Sequence, residues 1–307
     1  MKHASEEMAI VDAAIIGGGP AGLSAALVLG RALRRVVVVD EGNPRNGIAK
    51  RSHGFLSRDG IEPEALRLHA REELRRYENV ELWQDTVVAI QAAEGRFELR
   101  TSGGRAVSSR VAVFATGMKE RLPDWPGLAD VYGCSVFPCP YCDGWEMRNE
   151  PLALLGGGES LLSHIQLIHN WTKDLVVCSD GPAALKAEER EQLAVHGIAL
   201  IEQPIAALEA IDGQLTQIVF ADGRRVARRG GFMVDTGAYQ ASDLPRQLGI
   251  TMDKSGLYRT KGHGQTRIKG LYIIGDAKHG FTGIAGAAGE GYEAGVAINR
   301  ALVNADW

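Results

Sequence analysis

The chain has 307 residues, 23% charged and 45% hydrophobic, long enough for two domains with separate cores and ordinary for a soluble protein. A formal net charge of −4 gives no electrostatic reason to expect nucleic acid or an anionic membrane as partner; no apolar run reaches membrane-span length, and Met1–Glu7 has no apolar stretch after it. Four cysteines are too few for a disulfide scaffold, so a reducing, cytoplasmic compartment is the expectation.

Ile10–Ile16 reads as a buried strand running into Gly17-Gly18-Gly19-Pro20-Ala21-Gly22, a G-x-G-x-x-G pattern. A helix over Leu23–Ala32 and a strand over Val36–Val39 follow, and that strand ends in Asp40-Glu41. This is a complete dinucleotide fingerprint. Gly17 makes the tight turn, Gly19 lets the backbone approach a pyrophosphate, and Gly22 lets helix pack on strand. The helix N-terminus offers unpaired N–H groups to the phosphates, and Asp40 or Glu41 is placed to take ribose hydroxyls.

Asn43–Gly60 is a polar loop containing Asn46 and His53, and Ile61–Tyr77 is an amphipathic helix. Short strands follow at Val80–Trp83, Thr86–Gln91 and Phe97–Thr101, then Val111–Phe114 stops at Ala115-Thr116-Gly117. Next comes Cys139-Pro140-Tyr141-Cys142-Asp143-Gly144. Two cysteines at this spacing can close a redox disulfide ring, with Asp143 near enough to hand protons to a leaving thiolate. The same spacing is half of a zinc site, but Cys134 and Cys178 form no second pair, so no metal is expected. They read as buried or spectator thiols.

The chain then repeats itself. Leu152–Leu155 leads into Gly156-Gly157-Gly158-Glu159-Ser160, a helix over Leu161–Trp171 and a strand over Leu175–Cys178. Lys173–Arg190 reads as a solvated, mixed-charge face. Short strands at Ile198–Ile201, Ile205–Ile211 and Leu215–Phe220 precede Phe232–Gly237, an echo of Phe114–Gly117. The last segment has a strand ending in Gly275-Asp276, a glycine-rich stretch over Gly280–Gly291 and a helix to Val303. The fold class expected is α/β: two Rossmann-like, three-layer ββα domains, the second inserted into the first. The boundaries expected are 1–118 with 246–307 for the outer domain and 119–245 for the inner one.

With the two fingerprints, the Ala-Thr-Gly and Gly-Asp turns and the Cys-x-x-Cys-Asp-Gly, the chain resembles the low-molecular-weight thioredoxin reductase family of flavoproteins from Ala9 to Leu302. The resemblance implies FAD in the outer domain, a pyridine nucleotide in the inner one, and a homodimer. By position it places FAD at Gly17, Gly19, Gly22, Asp40 or Glu41, Thr116, Gly117 and Asp276. Asn46 and the start of the last helix, Ile284 and Ala285, complete that set. It makes Cys142 the thiol nearest the flavin, Cys139 the thiol that meets substrate, and Asp143 the acid–base carboxylate. The substrate implied is a thioredoxin-like protein or a small-molecule disulfide or dithiol.

The inner domain departs from the pattern, which usually has a small residue at Leu161 and a basic cluster at Ser179-Asp180-Gly181-Pro182. A 2′-phosphate wants a cation there, and Asp180 would repel it, so these departures argue against NADPH and leave NADH open. Pro140-Tyr141, Trp145-Glu146 and Trp171-x-x-Asp174 are also similar to the flavin-dependent dithiol oxidases of small natural products. Those oxidases commonly carry His where this chain has Asp143. Relatives linked to ferredoxin rather than NADPH are a third likeness. His53 reads as a loop histidine in solvent, and a non-enzymatic FAD redox sensor is the alternative class.

Overall fold

The computed structural model describes residues 10–307; residues 1–9, with the Met1–Glu7 stretch, lie outside the described residues. The chain divides into two compact units. The first runs to Gly47 and takes in Gly54–Lys119 and Tyr239–Trp307; the second is Ile48–His53 with Glu120–Ala238.

The first unit opens with β1 (Ile10–Ile16), α1 (Pro20–Arg31), β2 (Val36–Asp40), α2 (Pro63–Leu74) and β3 (Val80–Gln84). It continues through β4 (Val87–Ala93), β5 (Arg96–Thr101), β6 (Ala106–Phe114) and a short β7 (Met118–Lys119). The second unit holds α3 (Leu128–Val131), β8 (Val136–Phe137), α4 (Pro140–Asp143), β9 (Leu152–Leu155), α5 (Leu161–Ile168) and β10 (Leu175–Cys178). It goes on with α6 (Ala187–Val195), β11 (Ala199–Ile201), β12 (Ile205–Ile211), β13 (Gln214–Phe220), β14 (Arg225–Ala227) and β15 (Gly230–Met233). The chain returns to the first unit with β16 (Tyr239–Gln240), α7 (Leu244–Gln247), β17 (Leu271–Ile273), α8 (Asp276–His279) and α9 (Gly283–Asp306). Tyr239 pairs with Lys119 across β16 and β7, which is why the first unit resumes at Tyr239 and not at residue 246.

The first sheet runs β3-β2-β1-β6, parallel throughout; the far edge of β6 is shared by antiparallel β5 and, near its end, parallel β17. Alternate residues explain the unbroken apolar runs. Ala14, Ile16, Val37, Val39, Ala112 and Phe114 face one core, with Phe97, Leu99 and Tyr258. Ala13, Ile15, Val36, Val38, Val111 and Val113 face the other, against Leu23 and Leu29 of α1 and Ile298 and Leu302 of α9. A strand buried on both faces has no polar alternation to show. The second unit repeats the design in a parallel β11-β10-β9-β15-β8 sheet, with a separate antiparallel β12-β13-β14 sheet.

Helix α9 begins at Gly283, beside the Ile284 and Ala285 expected at its start, and runs on through the rest of the glycine-rich stretch without a break. The reason is close packing: a Cβ at Gly291 would stand 2.0 Å from the carbonyl oxygen of Ala21 in α1. Tertiary contact thus outweighs the low helix propensity of glycine. Helix α6 lies where a solvated charged face was read; Leu193 is its one buried residue, too little for an apolar period to register. Of the two remaining cysteines, Cys178 is buried, its thiol pushed up to about 12 by that burial, and Cys134 is exposed.

Candidate active site

In the first unit, Ile16 opposes Phe114, and Phe114 opposes Ile273, so β1, β6 and β17 end level. The turns after them, at Gly17, at Thr116-Gly117 and at Gly275-Asp276, therefore share the carboxyl edge of the sheet. Open α/β sheets take ligands at that edge. A Cβ at Gly22 would stand 2.0 Å from the oxygen of Gly17, so only glycine lets α1 start this close to β1. Nothing lies within 4 Å of a Cβ built on Gly19, and α1 has no side-chain cap there. The backbone is open where a pyrophosphate would approach.

Of the two acids after β2, Asp40 joins this loop: its Oδ1 accepts the Gly18 N–H at 3.0 Å, and Arg71 of α2 pairs with its Oδ2. Glu41 instead pairs with Lys119 at 3.1 Å. Asp276 Oδ1 accepts from the Thr282 backbone N–H (3.0 Å) and hydroxyl (2.9 Å), which fixes the entry to α9 and its first-turn residues Ile284 and Ala285. Arg45 donates to Asp276 Oδ2 at 3.0 Å and to the Gly280 oxygen at 2.7 Å, and lies 5.0 Å over the Phe281 ring. That brings the Arg45–Ile48 turn, with half-buried Asn46, to the same loop. Thr116 Oγ1 is buried with no hydrogen-bond partner.

The open face at Gly19, the uncapped helix and the orphaned Thr116 hydroxyl are what a bound flavin dinucleotide would satisfy, so the residues present fit FAD. Purified protein should carry about one FAD per chain. Gly19→Trp fills the open space above the loop without touching the core. Its flavin absorbance per chain is expected to fall close to zero while far-UV circular dichroism is unchanged; full flavin retention overturns this assignment.

In the second unit, Cys139 and Cys142 form a disulfide, with Cα atoms 5.3 Å apart. Cys139 caps α4, and its Sγ accepts the Cys142 N–H at 3.2 Å. A donor aimed at that sulfur stabilises a thiolate on Cys139 once the bond opens. Cys139 is buried and Cys142 half-buried. Asp143 follows directly, and burial, aided by the Glu146 carboxylate, lifts it from 3.8 to about 7, with His53 pulling the other way. Gly144 is required by the Pro140 carbonyl oxygen, 2.3 Å from where a Cβ would stand, and by the Trp171 indole at 2.8 Å. Tyr141, between the cysteines, stands 75% exposed with its ring edge-on to Trp171.

The second fingerprint is altered in the same unit. Helix α5 starts only at Leu161, the position equivalent to Gly22, and Leu161 is fully buried in the core. A side chain there cannot lie where Gly22 lies, so the helix start is set back from its strand. Asp180 adopts a left-handed backbone (φ 53°) and its carboxylate turns inward. It accepts the Trp125 indole N–H at 3.1 Å and the Ile205 N–H at 2.7 Å. Beside it, Arg190 is taken up by Glu202 (2.7 Å) and by the oxygen of Ala183 (3.2 Å).

Sequence reasoning missed Arg45 and Arg71 and gave Glu146 no role beyond its likeness to the oxidases, and the side chain of His53, expected in solvent, is only 21% exposed. Arg45, Arg71 and His53 lie in no motif, and each is joined to its partner by the fold alone.

A model of the pyridine nucleotide-disulphide oxidoreductase family matches residues 11–291. Thioredoxin reductase sirT of Leptosphaeria maculans is 30% identical, over 97% of this chain and 96% of its own length. Among solved structures, TrxB from Bacillus anthracis matches with a TM-score of 0.92 at 35% identity, covering 97% of this chain and 100% of that one. HlmI matches with a TM-score of 0.91 at 34% identity, over 100% of this chain and 96% of that one.

Proposed function

The chain belongs to the pyridine nucleotide-disulphide oxidoreductase family, and on that premise we propose which residues carry its chemistry and what it exchanges electrons with. It is a flavin-dependent disulfide oxidoreductase of thioredoxin reductase type, built around the Cys139–Cys142 pair. We assign Gly17, Gly19, Gly22, Asp40, Thr116, Gly117 and Asp276, with Asn46, Ile284 and Ala285, to holding FAD. When bound, FAD supplies a two-electron donor and acceptor for that pair.

In the dithiol form, the Cys139 thiolate attacks an external disulfide and expels the first external thiolate. Cys142 gives its proton to the Asp143 carboxylate and attacks Cys139 Sγ, which closes the ring and releases the second external thiolate. Run backwards, the same steps oxidise an external dithiol. The observation that carries the assignment is Asp143 itself, a carboxyl group adjoining the disulfide and held to about 7, so that it both keeps and gives a proton near neutrality. The external partner is a thioredoxin-like protein or a small-molecule disulfide or dithiol. The protein works as a cytoplasmic homodimer, and its second fingerprint uses NADPH poorly.

The test is the pH dependence of flavin reduction by dithiothreitol. Asp143 is protonated below about 7, so general-acid assistance is present there and lost above it. Asp143→Asn is expected to remove that limb and to lower the rate at pH 6 by about 10²–10⁴-fold. Linkage runs the same way. A carboxyl raised in the folded state contributes stability that is full below 3.8 and lost as pH rises through about 7. Asp143→Asn should therefore be the more stable protein at pH 8, by at most about 4 kcal/mol. An unchanged pH–rate profile overturns the role given to Asp143.

A further inference from the structure

His53 reaches the redox turn by an unusual path. The chain leaves the first unit after Gly47, gives Ile48–His53 to the second, and returns at Gly54. Both ends of this excursion are seated. Ile48 packs on Gly133, where a Cβ would stand 2.8 Å from Ile48 Cγ1. His53 Nε2 lies 3.6 Å from Glu146 Oε1. Glu146 belongs to the turns that continue α4, and the Met147 N–H donates to the Asp143 carbonyl at 3.3 Å, so both carboxylates ride on one short rigid segment. The charges acting on the Asp143 carboxyl are those of Glu146, which favours its protonated form, and His53, which opposes it. Arg148, the nearest cation in sequence, is turned away, with its guanidinium 4.1 Å over the Trp145 ring.

We propose that His53 is a positioning residue for thiol–disulfide exchange: its imidazole, held against Glu146, offsets that carboxylate and sets the pH at which Asp143 releases its proton. A second carboxylate this close in sequence, without a counter-charge, favours the protonated form of the first and holds it to higher pH. The step it governs is the one in which an external thiolate bonds to Cys139 Sγ. The Cys139–Cys142 bond then breaks, and the Cys142 sulfur leaves with the proton of Asp143. A second external thiol displaces Cys139, so the external dithiol is oxidised and the protein pair reduced. The inference rests on the acid–base role of Asp143 given above.

The experiment follows anaerobic flavin reduction by dithiothreitol in the FAD-loaded protein, from about pH 5 to 9, in four variants. His53→Ala is expected to move the upper limb of the profile to higher pH by about half a pH unit to one. Glu146→Gln is expected to move it to lower pH, and the double variant to lie between the single ones, because the two influences oppose each other. His53→Lys, which places a fixed cation against Glu146, should bring the limb back towards the parent. A rate loss equal at every pH in His53→Ala, with the limb in place, means a structural role only and overturns the proposal. Asp143→Asn separates the two readings. If it abolishes the limb while His53→Ala leaves it unmoved, only the part given to His53 falls. If the limb persists in Asp143→Asn, both fall.

Discussion

Cys142→Ser is expected to keep about one FAD per chain and to lower disulfide or dithiol turnover by on the order of 10³-fold or more, because serine neither forms the ring disulfide nor leaves as a thiolate. Cys139→Ser should be as inactive but different in kind. It leaves Cys142 as a lone thiol, whose thiolate beside an oxidised flavin would give a long-wavelength absorption band, whereas Cys142→Ser would give none. The roles come from position and from the N–H that Cys142 points at Cys139 Sγ. The burial of Cys139 works against easy access, so it is the spectra that assign the sulfurs. Full turnover in both variants would make the pair structural. A band in Cys142→Ser alone would exchange the two roles.

NADPH is expected to reduce the flavin slowly or not at all under anaerobic mixing, and NADH to do no worse. Like charges ~4 Å apart at an effective dielectric near 20 repel by roughly 4 kcal/mol, and exposure of Asp180 makes that an upper bound for its effect on a 2′-phosphate. The bonds of Asp180 to Trp125 and Ile205 refine the reading from sequence: each carboxylate oxygen already accepts one N–H, which holds the group in place. Leu161 adds an obstacle common to both coenzymes, since it fills the place where glycine brings the other fingerprint helix onto its strand. Asp180→Ala alone should not restore NADPH use. Rapid, saturable bleaching by micromolar NADPH would overturn this account.

What was legible in the sequence had short-range causes. Gly17, Gly22 and the strands beside them are dictated by close approach and two-sided burial, and both leave an unambiguous trace in residue type. The Cys-x-x-Cys-Asp-Gly turn is equally local, down to the glycine that the Pro140 carbonyl requires. What was not legible depends on partners far apart in the chain. Arg45 reaches Asp276, Arg71 reaches Asp40 and His53 reaches Glu146 only because the fold brings them together. Asp40 and Glu41 could not be told apart by spacing, because a one-residue difference at a strand end decides only which way the carboxylate points. The helix over Ala187–Val195 was hidden for the opposite reason, as it buries almost nothing.

The inward turn of Asp180 bears on any attempt to redesign coenzyme use. The obvious change would be to graft an arginine at that position. It would put a bulky side chain on a left-handed backbone that aspartate tolerates and most residues do not. It would also strip the acceptor from two part-buried donors, at no more than about 1–3 kcal/mol for each left unmet. A practicable graft would place the cation on a neighbouring residue, keep the aspartate as a tie between its strand and the Trp125 and Ile205 segments, and shrink Leu161 at the same time.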